Sequence, residues 1–142
     1  MLPAVERRAR LIGVNHVALE VGDIDAALAL YARLFSFELR GRVPGAAFID
    51  MGDQFIALAK VARPHKDDER HFSVVVDDRS RVKELAEAAG GKLLAGPFLD
   101  FLDPWGNHFQ IVAYQAIQFE RSPGVKRKLG IEDLAKSESA VR

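Results

Sequence analysis

A chain of 142 residues, 49% hydrophobic and 28% charged, has the size of one domain or of two small modules sharing a core. Twenty Lys and Arg balance twenty Asp and Glu, so there is no basic surplus to hold nucleic acid or an anionic membrane. Cysteine is absent, which removes disulfides, thiolate nucleophiles and thiolate metal sites. Residues 1–10, read as an N-terminal extension, place Glu6, Arg7, Arg8 and Arg10 where a signal peptide needs its apolar run. No window is apolar enough to span a bilayer. The expectation is a cytoplasmic protein with neither a membrane nor a nucleic-acid partner.

Ile12 to Val21 reads as a strand, with Asn15, Val17, Leu19 and Val21 on one face and Val14, His16, Ala18 and Glu20 on the other. Gly22-Asp23 ends it, and Asp23 is placed to cap a helix. Ile24, Ala27, Leu28, Tyr31, Leu34 and Phe35 then recur at helical spacing. Phe37 to Val43, Ala46 to Met51 and Gln54 to Val61 are expected as three strands, with Gly45 and Gly52-Asp53 at the turns. Ala62 to Arg70 is a polar linker that contains His65, an exposed loop residue.

A second series begins at His71. The strand His71 to Val76 carries Phe72, Val74 and Val76 on one face and His71, Ser73 and Val75 on the other. Asp77-Asp78 stops it. Val82, Leu85, Ala86 and Ala89 mark a helix closed by Gly90-Gly91. Lys92 to Gly96 and Phe98 to Leu102 are short strands, and Asp103-Pro104-Trp105-Gly106-Asn107 has the composition of a tight reversal. In the last strand Phe109, Ile111 and Ala113 alternate with His108, Gln110 and Val112.

The order strand, helix, three strands therefore occurs twice. His16 and His71 lie 55 residues apart, as do Asp23 and Asp78, which points to a duplication. The predicted fold is α+β: two βαβββ modules (11–62 and 70–115) within one domain (11–115). The tail, 116–142, is expected to form one or two short helices on the body or on a partner subunit.

On three strands the bulky aliphatic residues share one parity, and His16, His71 and Gln110 share the other. If the sheets curve with helices outside, these three side chains converge on a hollow. Two neutral imidazoles and an amide oxygen suit a divalent Fe, Mn, Ni, Co or Zn ion, though the uncharged Gln110 compensates a dication less than a carboxylate does. Each histidine also has a plain reading as a hydrogen-bonded strand residue. His108 shares the parity of Gln110 and is a candidate catalytic residue or substrate contact. Glu20 shares the face of His16 and is a candidate proton acceptor. No nucleophile elbow, Walker loop or dinucleotide fingerprint is present.

Four segments resemble the vicinal-oxygen-chelate superfamily of glyoxalase I, bleomycin-resistance proteins, fosfomycin-resistance enzymes and extradiol dioxygenases. They are Asn15 to Leu19 with Asp23, Gly52 to Leu58, His71 to Asp78, and Asp103 to Gln110. The resemblance implies paired βαβββ modules forming an open cup-shaped mixed sheet with helices outside, commonly in a homodimer, and a divalent metal ion in the cup. By this likeness His16, His71 and Gln110 occupy metal-ligand positions; the last is normally Glu. A fourth position falls at or near Ala57, which cannot bind metal. An amide cannot act as a general base near neutral pH, so standard glyoxalase I activity is not expected.

Two functions follow as expectations. One is a metal-assisted lyase, isomerase or dioxygenase acting on a small oxygen-chelating substrate. The other is a metal-free protein that sequesters a small molecule, as in bleomycin resistance. A third reading gives the tail a protein partner. A homodimer is expected, because each module otherwise leaves a strand edge open.

Overall fold

A computed structural model describes residues 14–67, 69–117 and 119–137. The expected extension 1–10, the first residues of the first strand and residues 138–142 lie outside these. The first module runs β1 (His16–Val21), α1 (Ile24–Leu34), β2 (Leu39–Val43), β3 (Ala46–Asp50) and β4 (Phe55–Lys60). The second runs β5 (Phe72–Val76), α2 (Arg79–Ala86), β6 (Lys92–Leu93), β7 (Leu99–Leu102) and β8 (His108–Ala113). A 3-10 turn (Tyr114–Ala116) and α3 (Pro123–Leu129) follow. Each module builds one four-stranded sheet with the same order, β1-β4-β3-β2 and β5-β8-β7-β6. The first strand of each pairs parallel to the last, and the other pairings are antiparallel. The duplicated βαβββ architecture and the α+β class match the sequence expectation.

Local chemistry sets the helix starts. Asp23 Oδ1 accepts the Ala26 N–H at 2.8 Å, and Asp78 Oδ1 accepts the Arg81 N–H at 3.1 Å. The Asp78 cap explains why α2 begins at Arg79 rather than at the first apolar residue, Val82. It ends at Ala86, short of the expected Ala89, where the Gly91 N–H turns back to the Ala86 carbonyl. The expected strand Lys92 to Gly96 is reduced to two residues.

The apolar parities of both sheets meet in one core. Leu19, Val21, Ala47, Ile49, Ile56 and Leu58 from the first sheet join Leu99, Phe101, Phe109 and Ile111 from the second, with α1 and α2 packed among them. Phe109 ties the modules together. Its ring lies 5.6 Å from Tyr31 and 6.3 Å from Phe35, both from the first module, and 4.9 Å from Phe101. Burying each such side chain contributes roughly 1.5–3 kcal/mol.

The reversal between β7 and β8 is a second tie. Gly106 there has φ +88° and packs so closely on Lys66 that an added Cβ would collide with it. Buried Asp103 accepts the backbone N–H groups of Trp105 and Asn107, the Asn107 amide and the Tyr31 hydroxyl. Asn107 Nδ2 also reaches the Glu20 carbonyl of β1 at 2.9 Å. Burial, reinforced by the Asp103 carboxylate, pushes the Tyr31 phenol up, so Tyr31 stays a donor.

The tail is anchored to the β3–β4 turn. Arg121 bonds the Met51 carbonyl and pairs with Asp53, while Val125 seats against Gly52. Lys136 Nζ bonds the Tyr114 carbonyl at 2.7 Å and lies 3.5 Å from the Tyr114 ring centroid.

Candidate functional site

The parity that sends Leu19 and Val21 into the core turns His16, Ala18 and Glu20 away from it. The His16 imidazole stacks on Phe55, its neighbour on β4, at 4.6 Å between ring centroids and 13° between planes. Asn15 Nδ2 lies 3.0 Å from His16 Nδ1. Ala57 stands opposite Ala18, so this wall offers only a methyl group where the resemblance puts a fourth ligand.

Glu20, the expected proton acceptor, holds the linker. Its carboxylate accepts the His65 backbone N–H at 2.9 Å and contacts His65 Nδ1 at 2.9 Å. The backbone bond, then the ring, hold its carboxyl below the usual range. A depressed folded value means the latch is at full strength above the unfolded value of about 4.3 and weakens as pH falls through the folded one. A carboxyl NMR titration of Glu20 should have its midpoint below that of an unstructured Glu. A midpoint at or above that value contradicts the latch.

The second sheet carries the other candidates. His71, just before β5, has Nδ1 2.9 Å from the Glu69 carbonyl. A carbonyl only accepts, so Nδ1 carries the proton and Nε2 is left as a lone pair, the form a metal ligand requires. Gln110 on β8 is in register with Ser73, whose hydroxyl donates to Gln110 Oε1 at 3.0 Å and fixes the amide. The His108 ring lies 5.2 Å from that of His71, and His108 Nε2 is 3.3 Å from Asp100 Oδ1. Asp100 was not singled out from the sequence. The signal was present in Leu99-Asp100-Phe101, where one acidic residue interrupts two core positions.

His71, Gln110 and His108 thus share one face of the β5–β8 pair, while His16 stands on the other sheet. Among the described residues, no hydrogen bond or ring contact joins His16 to them. Nor do three His, Cys, Asp or Glu side chains come together as a metal-holding group. His16 lines a cavity of about 640 Å³ with Phe55, Tyr31, Phe72, Arg121 and Leu134, residues drawn from both sheets, α1 and the tail. Neither His71 nor Gln110 lines it. Both β1 and β5 keep one unpaired edge. No described helix is long and apolar enough to cross a membrane.

Solved structures share this architecture. FosX, a fosfomycin resistance protein from Mesorhizobium loti, superposes with a TM-score of 0.62 at 16% identity, covering 72% of this chain and 91% of that one. An integron cassette protein from Vibrio cholerae gives 0.59 at 18% identity, over 76% and 99%. A glutamate-to-glutamine variant of Listeria monocytogenes FosX, solved with Mn(II) and 1S,2S-dihydroxypropylphosphonic acid, gives 0.64 at 14% identity, over 84% and 99%. At such identities the likeness concerns the fold. The model of the glyoxalase/bleomycin resistance protein/dioxygenase superfamily matches residues 13–111, and the chain belongs to that superfamily.

Proposed function

We propose that this protein is a metal-assisted enzyme acting on a small substrate with two adjacent oxygens, its ion held by His16, His71 and Gln110. The observation that carries the reading is the preparation of His71 and Gln110 on one face. Nδ1 of His71 is committed to Glu69, and the amide of Gln110 is fixed by Ser73. Two imidazoles and an amide oxygen fit Mn, Fe, Co, Ni or Zn, and such an ion supplies Lewis acidity and open positions for oxygen ligands.

The chain's own groups do the rest. His108, steadied by Asp100 and adjacent to His71, hydrogen-bonds the substrate where the carboxylate of glyoxalase-like sites is missing. Gln110 orients without transferring a proton, which disfavours standard glyoxalase I chemistry. His16 belongs to one sheet and His71 adjoins the other, and in this reading the complete site forms in a homodimer. There β1 of one protomer meets β5 of its partner and both free edges are covered.

A metal-free binding protein is the second reading. It is favoured by the apolar cavity beside His16, whose size suits a small organic ligand. Equilibrium dialysis against Mn, Fe, Co, Ni and Zn separately distinguishes the two. One tightly held ion per chain is expected, and no uptake of any of the five leaves only the sequestering function.

A further inference from the structure

The family match ends at residue 111, yet the tail beyond it reaches the surroundings of His16. Phe55 has His16 on its β1 side and Arg40 on its β2 side, because β4 lies between β1 and β3 in the sheet. The Arg40 guanidinium carbon is 4.7 Å from the Phe55 centroid, within cation–π range. Imidazole, phenyl ring and guanidinium form a three-layer stack.

Arg40 is fixed from several directions. Its Nε and Nη2 bond Asp50 Oδ1 at 3.1 and 2.7 Å, and Nη2 also meets the carbonyls of Gly52 and Gln54 at 3.3 and 3.2 Å. The other Asp50 oxygen, Oδ2, faces Lys128 Nζ of α3 at 3.3 Å, and that ammonium also bonds the Gly52 carbonyl at 3.2 Å. Burial opposes ionisation of Asp50, but the bonds to Arg40 and Lys128 outweigh it and hold the carboxyl below the usual range. Asp50 is 13% exposed and therefore poorly screened. It links one cation from the tail to one in the stack.

We infer that the C-terminal tail positions His16 through the relay Lys128–Asp50–Arg40–Phe55–His16, which makes α3 a working part of the site. The inference rests on the proposed role of His16 as a ligand, and its consequence is for imidazole orientation. Arg40 and Phe55 are positioning residues that hold the ring face-on to a phenyl group. A metal ligand whose ring is held in advance binds without losing rotamer freedom on coordination.

The test uses the full-length metal-free protein and Mn(II). The His16 ring protons, assigned by their loss in His16→Gln, should resonate upfield through the Phe55 ring current. Phe55→Leu should abolish that shift and weaken Mn(II) binding about 10-fold, the scale of other outer-shell losses. Lys128→Ala should move the His16 signals in the same direction and weaken Mn(II) about 3-fold, as expected for one partly exposed ion pair. Lys128→Arg should restore both. His71 signals should stay in place throughout. Unchanged His16 signals in both Lys128→Ala and Arg40→Leu overturn the relay, as do equal movements at His71. Wild-type protein that takes up none of the five ions defeats the metal reading alone, and the ring-proton shifts still decide the relay.

Discussion

Replacing Asp103 by Ala should lower the stability of the folded chain by about 3–5 kcal/mol, the range for removing one partner from a buried charged network. Four donors converge on this carboxylate: the Tyr31 hydroxyl at 2.6 Å, Asn107 Nδ2 at 2.9 Å and the N–H groups of Trp105 and Asn107 at 3.0 and 2.8 Å. Alanine leaves all four facing a gap in a site that is only 4% exposed, where water cannot readily replace them. Tyr31→Phe removes one donor and leaves the rest, so about 1–2 kcal/mol is expected. Urea unfolding of both single variants and of the double variant measures the coupling. The double should cost little more than Asp103→Ala, because the two groups serve each other. Additive losses would mean that Tyr31 and Asp103 act independently and that the bond between them does not join the modules.

That bond shows what single-sequence reasoning can and cannot reach. Tyr31 and Asp103 are 72 residues apart. Tyr31 reads as one more apolar position on a helix, and Asp103 as one more turn former. Nothing local says that one donates to the other. What is local was legible: the alternation in Leu19-Glu20-Val21 and in Phe109-Gln110-Ile111, the cap at Asp23, and the repeat that places His16 and His71 at matching positions. These depend on strand period and on backbone groups a few residues away.

The features that escaped all require long-range placement. Glu20 was a candidate for chemistry because of its face, yet the linker brings His65 onto it from 45 residues away. The polar face of a strand is readable, but which other polar face it meets depends on how two sheets pack. A shared apolar core fixes which sides of the sheets are inside. It leaves open whether two outward sides meet in one chain or in two. The tail offered helical spacing with little apolar surface, and the Arg121 and Lys128 anchors that seat it are ion pairs and carbonyl contacts invisible to hydrophobic patterning.

The proposed cross-subunit site carries the other large effect. His16→Ala and His71→Ala should each lose tight metal uptake, by more than about 100-fold, since deleting a ligand costs more than deleting its outer support. If the ligands come from two protomers, the two defective proteins rescue one another when unfolded together, refolded and allowed to exchange subunits. In a heterodimer, one interface combines both alanines and the other combines an intact His16 with an intact His71. Random pairing makes half of the dimers mixed, each with one good site of two, so uptake should return to about a quarter of the wild-type amount. A site closed within one chain predicts no recovery at all, because every chain then carries its own lesion. Recovery near a quarter together with a dimeric mass would join β1 of one protomer to β5 of the other. Complete absence of recovery in a demonstrably mixed dimer would close the site within one chain. A His16→Ala protein that keeps full metal uptake would instead place His16 outside the metal site and leave its stack with Phe55 as part of the apolar cavity's wall.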